Sequence, residues 1–202
     1  MHASWHPGHS ARDRVVQPFA IRDQTSDKQE HHMTAGGHVP TEADSLNDPV
    51  SGLPDGRFFH LAADRKVALA RRTLKPIAVA MFEIDNFDSF APYLRDHAVR
   101  VLARVMQNTL RDSDTICQMR DGVLAAVLDD TSETGAVWAA DRVRRSLLET
   151  PAREVVTVSA GLACYPSHAM GADDLVAEAE RALRTAKTLG PGRIEVASID
   201  LA

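Results

Sequence analysis

The sequence has little of what defines several large protein classes. Two cysteines in 202 residues, Cys117 and Cys164, cannot build the disulfide framework of a small secreted protein, and they favour a reducing compartment. No apolar run approaches the roughly 18 residues that span a bilayer, and the N-terminus lacks the apolar core of a signal peptide. Positive charge is not in excess, since 23 Lys and Arg against 28 Asp and Glu give a net charge of −5, which excludes a strongly basic nucleic-acid binder. We therefore expect a cytoplasmic protein that neither inserts into membranes nor binds nucleic acid.

The composition changes near Asn47. Before this point Gly, Pro, Ser, Thr and His are frequent, and hydrophobic residues become much more frequent after it. The sequence therefore predicts a polar, His-rich and partly disordered tail over residues 1–47 and one domain over residues 48–202. The tail holds six of the nine histidines. Without cysteines or a helical pair of histidines beside them, they favour a solvated tail over a metal site.

Apolar residues in the domain follow helical and strand patterns in turn. Helical spacing predicts four helices, over residues 55–74, 97–110, 134–148 and 172–189. Short apolar runs predict five strands, over residues 76–84, 115–119, 123–128, 155–165 and 193–197. Asp121-Gly122 lies between two of these runs and predicts a tight primed hairpin turn, which needs positive φ values. This order predicts an α/β (α+β) fold in which a mixed sheet of about five strands is surrounded by helices.

Individual side chains can also be placed on these elements. Cys117 and Cys164 fall on predicted strands and are expected in the core. Trp138 falls on a predicted helix and is expected to pack, whereas Trp5 in the tail is a candidate anchor for a partner.

Four segments resemble the motifs of one signalling family. Residues 48–55 (DPVSGLPD) resemble D-x-L-T-G-L-x-N, and residues 82–88 (FEIDNFD) resemble D-I-D-x-F-K. Residues 156–161 (VTVSAG) resemble V-T-V-S-I-G, and residues 182–187 (ALRTAK) resemble A-L-Y-x-A-K. In order and separation together they resemble the GGDEF domain of diguanylate cyclases over about 150 residues. The resemblance implies a palm-like nucleotidyl-cyclase sheet that carries the signature motif on a β-hairpin.

The family's chemistry requires carboxylates that are altered in this chain. Diguanylate cyclases join two GTP molecules across a homodimer, with divalent metal ions held by the strand end and by the signature. The strand end here offers Glu83 in place of Asp, and the signature reads RDGVL, over Arg120, Asp121, Gly122, Val123 and Leu124. Both acidic signature positions are therefore lost, and Arg120 replaces the first glycine. We interpret Asp121 as closing the hairpin, because a shift of one residue on a strand turns a side chain to the opposite face.

Further positions that the resemblance assigns to the nucleotide are altered or ambiguous. Asp88 replaces a lysine and reverses its charge, while Lys187 matches a phosphate-contacting lysine. Asp96 matches a guanine-binding Asp, or caps a helix that begins there. We expect catalytic activity to be lost and no cofactor to be required, with Mg²⁺ involved only if residual GTP binding persists through Glu83, Asp85 and Asp96.

One motif of the family is retained. Arg111-Asp112-Ser113-Asp114 ends shortly before the signature and resembles the R-x-x-D inhibitory site, which binds the product cyclic di-GMP. Arg142 stands where the family places a second arginine. An arginine offers a planar donor fork to a guanine edge or a phosphate, and a carboxylate accepts from the guanine N–H groups. The alternative is that Arg111 and Asp114 are ordinary charges at a helix end.

Three functions follow from these features. The leading hypothesis is an inactive domain that binds cyclic di-GMP through Arg111, Asp114 and Arg142 and regulates a protein partner. The second is an interaction module that binds no nucleotide. The third is a weak cyclase or a GTP-binding domain. The sequence does not specify the partner or the oligomeric state.

Overall fold

The alternating apolar patterns produce a sheet covered by helices in the computed structural model, which describes residues 46–198. In chain order the main elements are α1 (Gly56–Thr73), β1 (Ile77–Ile84), α2 (Pro92–Thr109), β2 (Thr115–Arg120), β3 (Val123–Leu128), α3 (Glu133–Leu148), β4 (Val158–Tyr165), α4 (Ala172–Leu189) and β5 (Ile194–Val196). Short 3₁₀ helices lie at Phe87–Ser89 and Pro151–Glu154. The predicted order of helices and strands is confirmed.

The five strands form one mixed sheet in the order β2-β3-β1-β4-β5. The central strand β1 is antiparallel to both β3 and β4, and β2 is antiparallel to β3. The edge strand β5 is parallel to β4. The predicted mixed sheet of five strands is therefore confirmed.

Helices cover both faces of this sheet. On β1, Ala80 and Phe82 point into a core shared with α2 and α3. Val79 and Met81 point the other way, into a core shared with α1 and α4. A strand buried on both faces reads as a continuous apolar run rather than as an alternation, which explains the pattern of β1.

Two element boundaries differ from prediction by more than one residue. Helix α2 begins at Pro92, several residues before the predicted start, and Ala91 at its N-cap makes no side-chain cap. Proline at the first helical position has no N–H that needs a partner, so this helix can begin without a polar capping residue. The sequence therefore shows no capping side chain at the start of α2. The interpretation of Asp96 as an N-cap is therefore wrong. Strand β4 begins at Val158 rather than at residue 155, and residues 155–157 connect it to a 3₁₀ helix that ends at Glu154.

The predicted solvated tail with its histidines, and Trp5 as a candidate anchor, lie outside the described residues. Leu46 and Asn47, which the described part includes, already pair with the start of the domain, since the Asp55 N–H donates to the Leu46 carbonyl at 2.6 Å. Among the helices of residues 46–198, none combines the length and the apolarity needed to cross a membrane.

Both cysteines lie in the core, as predicted. Cys117 is 0% exposed and Cys164 is 2% exposed, and both are free. Burial raises the pKa of each thiol to about 12, with a smaller contribution from Asp55 at Cys117 and from Glu133 at Cys164.

Since the thiolate is the reactive form, we expect neither thiol to react with iodoacetamide at pH 8 while the domain is folded. Both should react fully in 6 M guanidinium chloride, and rapid labelling of the native protein would contradict this placement.

Candidate functional site

The signature motif lies on a hairpin, as predicted, but its turn differs from the prediction. Asp121 and Gly122 connect β2 to β3, and only Gly122 has positive φ, at +72°. The register shifts between Gln118 and Arg120. A primed turn needs a positive φ at its first central residue, so that part of the prediction is wrong. A side chain at position 122 would also lie 2.7 Å from the Phe87 ring, so only glycine fits there.

A cavity of about 520 Å³ lies between this hairpin and the end of β1. Its charged lining comes from distant parts of the chain, namely Glu83, Asp88, Arg120, Asp121 and Lys187. Asp121 was expected on the opposite face, but it lies in the turn, where the alternation of strand faces does not apply. Asp96 is exposed within α2 and does not line this cavity.

The Glu83 carboxylate is occupied by cations of the chain itself. The Lys187 ammonium donates a hydrogen bond to it, and an Arg120 guanidinium nitrogen lies 3.7 Å from it. The same guanidinium donates to Glu180 on α4 at 2.9 Å. The Glu83 side chain is only 18% exposed, so these contacts are partly shielded from solvent.

These residues do not fit a magnesium site. Magnesium is held by oxygen ligands, several of them anionic. The strand end supplies one carboxylate, and two cations already contact it. Across residues 46–198 no group of three His, Cys, Asp or Glu side chains could hold a metal ion.

Asp85 is buried and holds three parts of the fold together. Its carboxylate accepts hydrogen bonds from the Thr157 hydroxyl at 2.8 Å, the Ser159 hydroxyl at 2.7 Å and the Gly192 N–H at 2.9 Å. Thr157 lies just before β4, Ser159 lies near its start, and Gly192 lies in the loop before β5. With its oxygens engaged in this way, Asp85 acts as a structural residue rather than as the GTP ligand considered above.

A second cavity, of about 310 Å³, contains all three residues of the predicted cyclic di-GMP site. Arg111 and Asp114 come from the loop after α2, and Arg142 comes from α3. The beginning of α3 and Trp138 complete much of the wall. Arg142 thus faces the same space as two residues that lie 31 and 28 positions before it in sequence.

The loop that carries Arg111 and Asp114 is fixed by its own hydrogen bonds. The Asp114 carboxylate accepts from the Arg111 N–H at 2.9 Å and from the Asp129 N–H at 3.1 Å. The Lys66 ammonium donates to the Ser113 carbonyl at 2.9 Å and to the Asp129 carboxylate at 2.5 Å. Each carboxylate oxygen of Asp114 has a second lone pair, so it can accept from a ligand as well.

The arginines around this cavity differ in their partners. The guanidinium groups of Arg111 and Arg142 are exposed and make no hydrogen bond or ion pair within residues 46–198. Arg144 and Arg145 on α3 both contact Asp141 at 2.6 Å. These contacts, with the Arg144 hydrogen bond first among them, lower the pKa of Asp141. Arg111 and Arg142 are therefore the cations that remain available to a ligand.

Trp138 is placed differently from the prediction. It is 74% exposed and lines the cavity instead of packing in the core. Helical periodicity failed here because Trp138 follows Val137 and precedes Ala139, both of which pack against the core. Its distance of four residues from Arg142 is the sequence feature that points to a shared helix face.

Comparison with known proteins decides the family. Residues 45–193 match the family described as "Diguanylate cyclase, GGDEF domain". The chain belongs to this family. It is 26% identical over 162 residues to the diguanylate cyclase DgcP of Pseudomonas aeruginosa, an alignment that covers 76% of this chain and 24% of DgcP. The chain therefore spans about a quarter of the length of that relative.

Solved GGDEF structures share the fold. The GGDEF domain of PA1120 (TpbB or YfiN) from Pseudomonas aeruginosa superposes with a TM-score of 0.70 at 24% identity, covering 76% of this chain and 95% of that one. Diguanylate cyclase SiaD from the same organism, solved in complex with its activator SiaC, gives a TM-score of 0.69 at 25% identity, covering 76% of this chain and 62% of that one. The GGDEF domain of DgcB from Caulobacter crescentus, in complex with c-di-GMP, gives a TM-score of 0.68 at 20% identity, covering 76% of this chain and 96% of that one.

Proposed function

We propose that this GGDEF domain is catalytically inactive and serves as a receptor for cyclic di-GMP, which it binds through Arg111, Asp114 and Arg142. The observation that carries the proposal is the cavity of about 310 Å³ in which these three side chains meet. Both of its guanidinium groups are without ion-pair partners in the described part of the chain. An ordinary charged helix end, the alternative for Arg111 and Asp114, gives no reason for Arg142 to face the same space.

The chemistry of the cavity suits a cyclic dinucleotide. The ligand carries two phosphate charges, and a guanidinium fork binds a phosphate or the Hoogsteen edge of guanine through paired hydrogen bonds. The Asp114 carboxylate can accept from the N1 and N2 hydrogens of guanine. A volume of about 310 Å³ is at the small end of the range for ligand pockets, so the cavity suits one base and its phosphate rather than the whole ligand.

Catalytic inactivity is supported by the state of the first cavity. A cyclase must hold metal ions that neutralise the triphosphate and activate the attacking hydroxyl. Glu83 is paired with Lys187 and Arg120, and neither Gly122 nor Val123 provides a carboxylate. The two cavities thus differ: Glu83 in the first is already paired with cations of the chain, whereas Arg111 and Arg142 in the second have no ion-pair partner within residues 46–198.

A receptor of this kind acts by regulating another protein. We infer a protein partner, in a cytoplasmic signalling pathway, whose interface responds to ligand at the second cavity. Support comes from the GGDEF protein SiaD, which has been solved with its activator SiaC.

Calorimetric titration with cyclic di-GMP tests the receptor function. We expect the wild-type protein to bind, and Arg111→Ala to bind at least about tenfold more weakly, because charge-assisted contacts of this kind typically contribute more than 1.4 kcal/mol. Arg100→Ala, an exposed arginine on α2 outside the cavity, is the matched control and should bind as the wild type does. No heat with the wild type would support a nucleotide-independent interaction module instead. Binding by Arg111→Ala equal to that of Arg100→Ala would show that the ligand does not use this cavity.

A product assay tests the inactivity. Purified protein incubated with GTP and either Mg²⁺ or Mn²⁺ should form no cyclic di-GMP above a blank without protein. Product formation that is lost in Glu83→Gln would show a working metal site and overturn this half of the proposal.

A further inference from the structure

We propose that Trp138 is a stacking platform for a guanine base of the ligand, so that the cavity binds cyclic di-GMP by one aromatic contact as well as by its charges. This inference rests on the proposed function and assigns a further binding residue to the same site.

The exposure of Trp138 is the first reason. An indole that is 74% exposed leaves a large apolar surface in water, and tryptophan is enriched where such a surface is covered by a partner. Within residues 46–198 no aromatic ring or guanidinium group is stacked on it. The ring therefore has a free face.

The position of Trp138 is the second reason. It lies four residues before Arg142, so both side chains occupy the same face of α3, one turn apart. Across the cavity stand Arg111 and Asp114. A base on the indole would thus lie among a phosphate-binding arginine, a second arginine and the carboxylate that accepts from guanine.

The space beside the ring is the third reason. Gly135 and Ala139 flank Trp138 in the cavity wall, and neither has a side chain long enough to cover the indole. Thr131 and Ser132, at the start of α3, line the same wall. Helix N–H groups at this end favour an anion, which fits the phosphate attached to a stacked base.

Stacking on an aromatic ring adds affinity without discriminating between bases. Single-base contacts with an aromatic side chain typically change affinity by about tenfold to a hundredfold when the ring is removed. The arginines and Asp114 would then select guanine, and Trp138 would increase the affinity for any purine held between them.

Fluorescence provides the direct test, since the protein has two tryptophans. In a Trp5→Phe background Trp138 is the remaining tryptophan, and we expect cyclic di-GMP to quench its emission at saturation. In calorimetry Trp138→Ala should bind about tenfold to a hundredfold more weakly, while Trp138→Phe, which keeps a ring, should lose much less. Leu148→Ala, an exposed apolar residue on the same helix outside the cavity, is the control and should bind normally.

The outcomes separate this inference from the proposed function. Wild-type protein that binds no cyclic di-GMP overturns both. Binding that is weakened in Arg111→Ala but unchanged in Trp138→Ala leaves the receptor function standing and overturns the stacking contact, with or without quenching. Thermal melts of each variant should match the wild type, because these side chains are exposed.

Discussion

Gly161→Ala is expected to destabilise the domain by about 4 kcal/mol or more, or to prevent folding. Gly161 lies on β4 where α4 crosses it. A Cβ at this position would stand 2.1 Å from the Leu183 nitrogen and 2.3 Å from the Ala179 carbonyl oxygen. Both obstacles are backbone atoms of α4, so no change of rotamer relieves the clash, and the helix must move away from the sheet.

Thermal unfolding followed by circular dichroism measures this effect. For a domain of this size the loss corresponds to a fall in Tm of roughly 10 °C or more. Gly56→Ala is the matched control, because its new Cβ would make ordinary contacts of 3.5 Å or longer with Met119. We expect the control to be neutral. A Gly161→Ala protein that melts with the wild type would show that α4 does not approach β4 so closely.

Asp85→Ala is expected to lower the free energy of unfolding by about 3 kcal/mol. The change removes the acceptor for three hydrogen bonds and leaves the donors of Thr157, Ser159 and Gly192 without it. The Ser159 side chain is 0% exposed, so water cannot readily replace the lost partner.

Urea unfolding of Asp85→Ala and of Asp88→Ala forms the matched comparison. Asp88 is exposed, and its carboxylate accepts no hydrogen bond in the described part of the chain. Its replacement should change the free energy of unfolding by no more than about 0.5 kcal/mol. Equal losses in the two variants would contradict a structural role for Asp85.

The sheet could be predicted from the sequence because its strands are buried on both faces. The continuous apolar runs of β1 and β4, together with Asp121-Gly122 at the hairpin, placed the strands with few alternatives. Helix α4 was predicted with the bounds that the structure shows, since its apolar residues recur regularly and Gly190 ends it. The start of α2 was missed because Ala91 provides no polar cap, although Pro92 at the first helical position is itself a start signal.

Contacts between residues that are distant in sequence could not be predicted from local sequence patterns. Arg120 and Glu180 are 60 residues apart, and Asp85 is more than 70 residues from each of its three donors. No periodicity reports such pairs, so the occupied state of Glu83 and the structural role of Asp85 required the fold. The grouping of Arg111, Asp114 and Arg142 was anticipated only through the family resemblance, and Trp138 was missed because it lies between two packed residues.

If the second cavity binds cyclic di-GMP and the first binds no GTP, equilibrium dialysis against the wild-type protein distinguishes the two nucleotides. We expect labelled cyclic di-GMP to be retained by the protein. Labelled GTP in the presence of Mg²⁺ should not be retained, because Glu83 is already paired with Lys187 and Arg120. Absence of cyclic di-GMP retention, or retention of GTP, would contradict the account.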